Sequence, residues 1–418
     1  MEKRDDWIED PDGWLEKGRK GERDNRFLKG VLTGVLCSLL VAAAATWGIY
    51  FLLSARGLKE VGQTEDYEEV EEKLEMLKGM VDTTFLYEAD EEAMKEGIYK
   101  GFIAGLGDPY TVYYTEEEYK DMMESSDGEY VGIGVQISQS ESTNVITVIR
   151  VFRGSGAEEA GMQAGDMLYK VNGEDITGED INNVVAKIRG NAGSTVHIEV
   201  YRDSVNDYVE MDVERRDVSM DTVEWKMLEN GMGYLQITEF DGVTYEQFVT
   251  ALEDLKAQGM KGLLLDLRDN PGGRLDQVVE IADDFLTEGV IVSTKSKTGL
   301  GSTYEADEEI RFDGPMVVLT NGNSASASEV LAGALKDYEK AVLVGTTTFG
   351  KGIVQSIYPF DDGTAIKITI SDYYTPNGAN IHGTGIEPDV MVEKEKGKEE
   401  DQDHQLEKAK EVLTGKMK

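Results

Sequence analysis

The chain has 418 residues, with 42 lysines and arginines against 82 aspartates and glutamates, and a formal charge of −40. Such a charge repels phosphates and argues against nucleic acid as a partner. The single cysteine, Cys37, excludes an intramolecular disulfide and a thiolate zinc site, while the length leaves room for two or more domains.

Residues 1–30 are charged and read as a cytoplasmic tail. They are followed by "VLTGVLCSLLVAAAATWGIYFLL", Val31 to Leu53, 23 residues without a charge. A helix of that length crosses a hydrocarbon core of about 30 Å. Lys17, Arg19, Lys20, Arg23, Arg26 and Lys29 precede it against only Glu22 and Asp24, which keeps that side in the cytoplasm and the rest outside. The run is longer than a signal-peptide core and continues past the small residues of "AAAAT". The expectation is an uncleaved transmembrane anchor over 31–53, a single-pass cell-membrane protein, and extracytoplasmic domains.

Residues 66–126 read as a helical region. "VEEKLEMLKGMVDTTF" places Val70, Leu74, Leu77 and Val81 three or four apart, the spacing of an amphipathic helix. A second helix, "DEEAMKEGIYKGFIAGL", ends before "DPY". Two helices build little core alone, so their apolar stripes are expected to meet a neighbouring domain or a second copy in a homodimer.

Residues 127–215 are β-rich: "YVGIGVQIS" and "STVHIEVYR" alternate as strands, and "GEDINNVVAKIRG" is a helix. From 216 to 395 strands alternate with helices. "GMGYLQITEF", "GLLLDLR", "PMVVLTN" and "AVLVGT" are the strands; "YEQFVTALEDLKAQG", "RLDQVVEIADDFL" and "SEVLAGALKDY" are the helices. That order predicts a layered α/β core. Residues 396–418 form a charged tail, at most a solvent-facing helix.

The stretch "VFRGSGAEEAGMQAGDMLYKVNGEDITG", with "YVGIGV" upstream, resembles a PDZ domain of the bacterial protease type. In such domains a peptide adds a strand to the sheet edge, and backbone N–H groups of a glycine-containing loop hold its carboxylate. The resemblance assigns that loop to Gly132, Ile133, Gly134 and Val135. Glycine lets N–H groups converge on an anion because no side chain blocks the approach.

In "NGNSASASEVLAGALKDY" three serines, Ser324, Ser326 and Ser328, alternate at the start of a helix. Ser326 and Glu329 fit a capping box, which leaves two serines unused. A hydroxyl at a helix start can attack a carbonyl while the next N–H, that of Ala327, holds the developing oxyanion. "LLLDLRDNPGGRLD" offers a second donor, Gly272 or Gly273. Of three histidines, His197 lies in a PDZ strand and His404 in the tail. His382 alone remains for a Ser-His pair. The other base is Lys351 in "VGTTTFGKGIVQS": a partly buried lysine has a lowered pKa, and Gln355 can orient its amine.

"SASASEVLAGALKDY", "TFGKGIVQ", "DLRDNPGG" and "GIEPDV" resemble the C-terminal processing peptidases, or tail-specific proteases, over residues 66–395. The resemblance implies a crotonase-like α/β core with an inserted PDZ domain. It implies a Ser-Lys dyad of Ser326 and Lys351, assistance by Gln355, and oxyanion donors at Ala327 and one of the two glycines. It also implies polypeptide substrates with free apolar C-terminal tails, and no metal or organic cofactor. Arg189, at the end of the PDZ helix, becomes a lever towards the protease domain. The competing readings are a non-catalytic PDZ scaffold that tethers tails at the membrane, and a crotonase-like enzyme of acyl thioesters.

Overall fold

The structure, a computed structural model, describes residues 66–140, 142–307, 309–393 and 403–417. The described residues up to Glu91 belong to one unit and those from Glu92 to another. In the first, helix Asp66–Thr84 leaves Val70, Leu77 and Met80 exposed.

The second unit is organised by strands that are buried on both faces and apolar up to their last residue. "GLLLD" (Gly262–Asp266) and "MVVLT" (Met316–Thr320) are buried throughout, the pattern of interior parallel strands. They lie in a six-stranded sheet whose spatial order follows the chain: Val223–Met227, Met232–Ile237, Gly262–Asp266, Met316–Thr320, Ala341–Gly345 and Val390–Met391. The first pairing is antiparallel and the rest are parallel.

Alternation then divides the core. Leu263, Leu265, Val318 and Leu343 face helices Thr244–Ala257, Leu275–Asp283 and Ala327–Asp337 through Phe248, Leu252, Val278, Ile281 and Leu331. Leu264, Val317, Leu319 and Val344 face helix His404–Lys416 through Ala409 and Leu413. The charged tail is therefore not a solvent-facing helix. It closes one face of the sheet.

Two further sheets flank this core. Strands Val112–Tyr114, Ala365–Tyr374, Gly289–Ser296 and Thr303–Ala306 pair in that order, with Ile353–Pro359 also on Ala365–Tyr374. A third sheet, ordered Val135–Gln139, Ile146–Val151, Met167–Val171, Thr195–Arg202 and Asp207–Glu214, has its own core of Val148, Val184, Ile188, Ile198 and Val213. A ribbon of Glu129–Gly132 with Arg216–Ser219 leads into and out of it.

Two expectations are corrected. The core is not crotonase-like: it is one sheet laid down in chain order, with helices on both faces and a separate antiparallel sheet. The transmembrane helix is likewise not found, because no helix among the described residues is long and apolar enough to cross a membrane. Asp66–Thr84, with 19 residues, is rich in glutamate and lysine. The segment 31–53 lies outside the described residues. The membrane anchor, the membrane as partner and the single-pass location are withdrawn.

The terminal helix is pinned by charge as well as by Leu413. Asp266 is fully buried and accepts from Arg268 Nε at 2.9 Å and from Tyr234 Oη at 2.8 Å. Arg268 also donates to both carboxylate oxygens of Asp403, each at 2.8 Å. Arg268→Ala strands the buried Asp266 charge and is expected to cost about 3–5 kcal/mol. Urea unfolding measures this, and a loss below about 1 kcal/mol would refute the role assigned to the arginine.

Candidate active site

Three neighbouring parallel strands end at the same edge of the central sheet, where open α/β sheets place their sites. Gly262–Asp266 runs into the "DNPGG" turn, Met316–Thr320 into the serine loop, and Ala341–Gly345 into the "TFGKG" loop. The three loops are stitched together. Ala325 N–H donates to Asn270 O and Phe349 N–H to Ser324 O, both at 3.0 Å, and Asp269 N–H to Asn321 Oδ1 at 3.0 Å.

The structure separates the three serines. Ser324 and Ser328 are buried, and their hydroxyls donate to the carbonyls of Leu267 (2.8 Å) and Asn270 (3.0 Å). They hold the serine loop against the glycine turn. Ser326 is half-buried and adopts φ 54°, ψ −113° just before helix Ala327–Asp337. For a residue with a Cβ this conformation costs roughly 1–3 kcal/mol. It is held by Tyr373, whose hydroxyl donates to Ser326 O at 2.9 Å, and by Glu329, which accepts from Ser326 N–H at 2.9 Å.

Glu329 does more than cap. Its buried carboxylate takes Ser326 N–H and Lys351 N–H on Oε2, at 2.9 and 2.8 Å. Oε1 takes Gly350 N–H at 2.7 Å and the Thr348 hydroxyl at 2.6 Å. One carboxylate thus fixes the backbone of both Ser326 and Lys351.

The two glycines of the turn are not equivalent. Gly272 is buried at φ +108°, and a Cβ there would lie 2.7 Å from Ser326 Cβ and 3.0 Å from Ala327 N. Its N–H already donates to Asn270 Oδ1 at 2.8 Å. Gly273 is exposed at φ +140°, and a Cβ there would collide with Phe240 O. The N–H groups of Gly273 and Ala327 have no acceptor among the described residues.

Lys351 reaches the site by its backbone but not by its amine. Its Nζ lies 4.5 Å from the centre of the Tyr110 ring and makes no hydrogen bond with Ser326 among the described residues. Burial pushes its pKa down, helped by Lys367, against weaker opposing pulls from Asp108 and Glu329. Gln355 Nε2 contacts Thr369 Oγ1 at a long 3.5 Å rather than the lysine. Thr369 in turn donates to Asp108 Oδ2 at 2.7 Å, as Thr111 Oγ1 does at 2.6 Å. Burial raises Asp108, but these bonds and that of Tyr110 N–H outweigh it and hold the carboxyl below its usual range. His382 is exposed and its ring makes no hydrogen bond with Ser326.

The PDZ-type loop lies elsewhere. Ile133 O and Gly134 O accept from Ala157 and Phe152, whereas the N–H groups of Ile133 and Gly134 have no acceptor among the described residues. Gly134, at φ +81°, packs so closely on Ser155 that a Cβ would overlap it. Gly132, Ile133, Gly134 and Val135 line a cavity of about 460 Å³ with Val185 and Ile188 of helix Ile181–Ile188. Arg189 donates to Asp121 Oδ1 at 2.9 Å, so it engages helix Glu116–Asp127.

Sequence reasoning missed Asp108, Tyr110, Thr111, Asn270, Thr369 and Tyr373. The "DPYT" stretch carried a signal, an aspartate positioned to accept from the N–H two residues on and the hydroxyl three residues on. Tyr373 and Thr369 lie on a strand with no such mark.

A half-buried serine at a strained helix start, a lysine of lowered pKa on an adjoining loop and a separate PDZ-type sheet define a serine peptidase that carries a PDZ domain. The comparisons agree. The family model described as peptidase family S41 matches residues 231–392, and a PDZ domain model matches 147–202. The carboxy-terminal processing protease CtpA of Bacillus subtilis (strain 168) is 34% identical over 361 residues, covering 86% of this chain and 76% of that one. CtpB of the same organism is 35% identical over 325 residues, covering 77% and 67%. The structure of a putative S41 protease from Bacteroides fragilis is similar in fold, with TM-score 0.50 and 18% identity over 76% of this chain and 90% of that one. The chain belongs to peptidase family S41, as a carboxy-terminal processing serine endopeptidase.

Glu329→Gln tests the shared carboxylate. The amide can accept on one atom only, so at least one buried N–H loses its partner, at about 1–3 kcal/mol. The expected result is a matching loss in urea unfolding, together with a drop in kcat of at least about tenfold at little changed KM. An unchanged kcat would show that Glu329 does not position the site.

Proposed function

We propose that the chain cleaves flexible polypeptides whose free apolar C-terminal tails dock on the PDZ sheet, with residues 127–215 as the PDZ domain and 216–395 as the protease core, behind a helical region over 66–126. The observation that carries this reading is the Glu329 carboxylate, which holds the N–H groups of Ser326 and Lys351 on one oxygen. The tail lies along strand Val135–Gln139, and its carboxylate takes the free N–H groups of Ile133 and Gly134 in the Gly132–Val135 loop.

Ser326 is the nucleophile. Its flanking serines are committed to backbone carbonyls, and its own hydroxyl stands at the positive end of a helix. Lys351 is the general base. Because its backbone is fixed, the amine reaches Ser326 by side-chain rotation away from the Tyr110 ring. Ser326 Oγ attacks the scissile carbonyl as its proton passes to Lys351 Nζ. The oxyanion is received by the N–H groups of Ala327 and Gly273; that of Gly272 is already engaged by Asn270. The Lys351 ammonium then returns its proton to the departing amine, and water releases the acyl product. Gln355, at the end of the Asp108–Thr369 chain, orients the amine once it turns to the serine.

Cleavage of an unstructured polypeptide with an apolar C-terminus tests the roles. Ser326→Ala and Lys351→Ala are each expected to lower kcat by more than about 10³-fold. Lys351→Arg fails as well, since guanidinium does not release its proton at accessible pH. Wild-type kcat/KM rises with pH through the lysine pKa, because the neutral amine is the base, and burial sets that midpoint below the ordinary 10.5. Activity that survives in Lys351→Ala with an unaltered pH profile would assign the base to another residue.

A further inference from the structure

The segment that follows strand Met232–Ile237 joins two parts of the molecule. Phe240 is fully buried and pairs in parallel with Gly273; its N–H donates to Gly272 O at 2.9 Å, and Arg274 N–H donates to its carbonyl at 2.7 Å. On either side of Phe240 stand Glu239, exposed, and Asp241, buried. Both line the cavity of about 460 Å³ that the Gly132–Val135 loop also lines. Two carboxylates therefore stand between the PDZ edge and the glycine turn of the active site.

The charges around them are already matched. Arg189 pairs with Asp121 at 2.9 Å, and Arg150 pairs with Glu224 at 3.0 Å and Asp221 at 3.5 Å. Arg274, the nearest cation along the chain, pairs with Asp127 and Asp276 at 2.9 and 2.8 Å. Asp241 is only 4% exposed, yet its carboxylate makes no hydrogen bond and no ion pair among the described residues. Burial, then the charge of Glu239, pushes its pKa up to about 7 against the pull of Arg274. A buried carboxylate without a donor is costly unless something supplies the missing charge. Thr244 accounts for the backbone at this point, its hydroxyl accepting Asp241 N–H at 2.9 Å, and leaves the carboxylate open to the cavity.

We propose that Asp241, with Glu239 at the mouth, forms a subsite for the cationic side chain of a lysine or arginine in the substrate, between its docked tail and the bond that is cut. The subsite rests on the reading that tails bound at Val135–Gln139 pass to Ser326. It narrows the substrate class to flexible polypeptides with an apolar C-terminus and a basic residue at a fixed distance upstream. The ammonium or guanidinium would give the two carboxylates the partner that the chain withholds, and an acidic residue at the same register would be repelled.

Peptides that share one apolar C-terminus and carry Lys, Gln or Glu at successive upstream positions test this, with kcat/KM as the readout and Kd measured by anisotropy on the Ser326→Ala protein. At one or two adjacent positions Lys is expected to exceed Gln by about tenfold in both, between the effect of an exposed and a buried pair. Glu is expected to fall below Gln there. Asp241→Asn should bring the Lys-to-Gln ratio close to one, and Glu239→Gln, a change at an exposed residue, should lower it part of the way. Equal values for Lys and Gln at every position in the wild type overturn the subsite, as does a preference undiminished in both variants. If the Gln peptides neither bind Ser326→Ala nor are cut by the wild type, tail docking itself fails and the subsite falls with it.

Discussion

A single buried carboxylate organises the catalytic edge. Glu329 has no exposure to solvent and meets four donors, two on each oxygen, drawn from the serine loop and from Thr348, Gly350 and Lys351. Burying a carboxylate costs several kcal/mol, and charge-assisted bonds of about 1.5–3 kcal/mol each can offset it only if all are made. The arrangement therefore works as a geometric lock more than as a source of net stability. Thr348 extends it, since its hydroxyl also accepts Ile386 N–H at 2.7 Å and so brings the "GIEP" segment into register.

That lock explains how Ser326 tolerates an unfavourable backbone. Its N–H, its carbonyl and the preceding Ala325 N–H are each held by a different part of the fold: Glu329, Tyr373 and Asn270. Tyr373 comes from the antiparallel sheet and Asn270 from the glycine turn, so both layers of the core converge on one residue. Gly272 completes the constraint, because any side chain there would occupy the space of Ser326 Cβ. Close approach, rather than a turn alone, is what that glycine serves.

Much of this architecture is legible in the sequence, and the reason is periodicity. Runs such as "GLLLD" and "MVVLT" suit strands buried on both faces, and their alternation with helices points to a parallel sheet between layers. The serine helix and the glycine turn are local, so their residues announce themselves. What is not legible is contact across long sequence separations. Asp108 and Thr369 are 261 positions apart, and nothing local marks them as partners. Glu329 is visible as a capping residue, but its grip on the lysine loop depends on which strands are neighbours. The terminal helix misleads for a different reason: its many charges conceal that Gln405, Ala409 and Leu413, each four residues on, form one buried stripe.

The position of the Lys351 amine follows from the same division between a fixed backbone and a free side chain. Burial favours the neutral amine, whereas the Tyr110 ring favours the ammonium. The ring contact suits the protonated form, whereas the proposed role as base at Ser326 needs the neutral amine. The proposed move of the amine to Ser326 couples departure from the ring to loss of the proton and asks only for side-chain torsions, because Glu329 keeps Lys351 N–H in place. Asp108 sets where the ring stands, through Tyr110 N–H at 3.0 Å, and is bonded to the Thr369 hydroxyl that Gln355 contacts. The ring over which the amine lies and the Gln355 side chain proposed to orient it are therefore tied to one aspartate, so that neither can shift without disturbing the other.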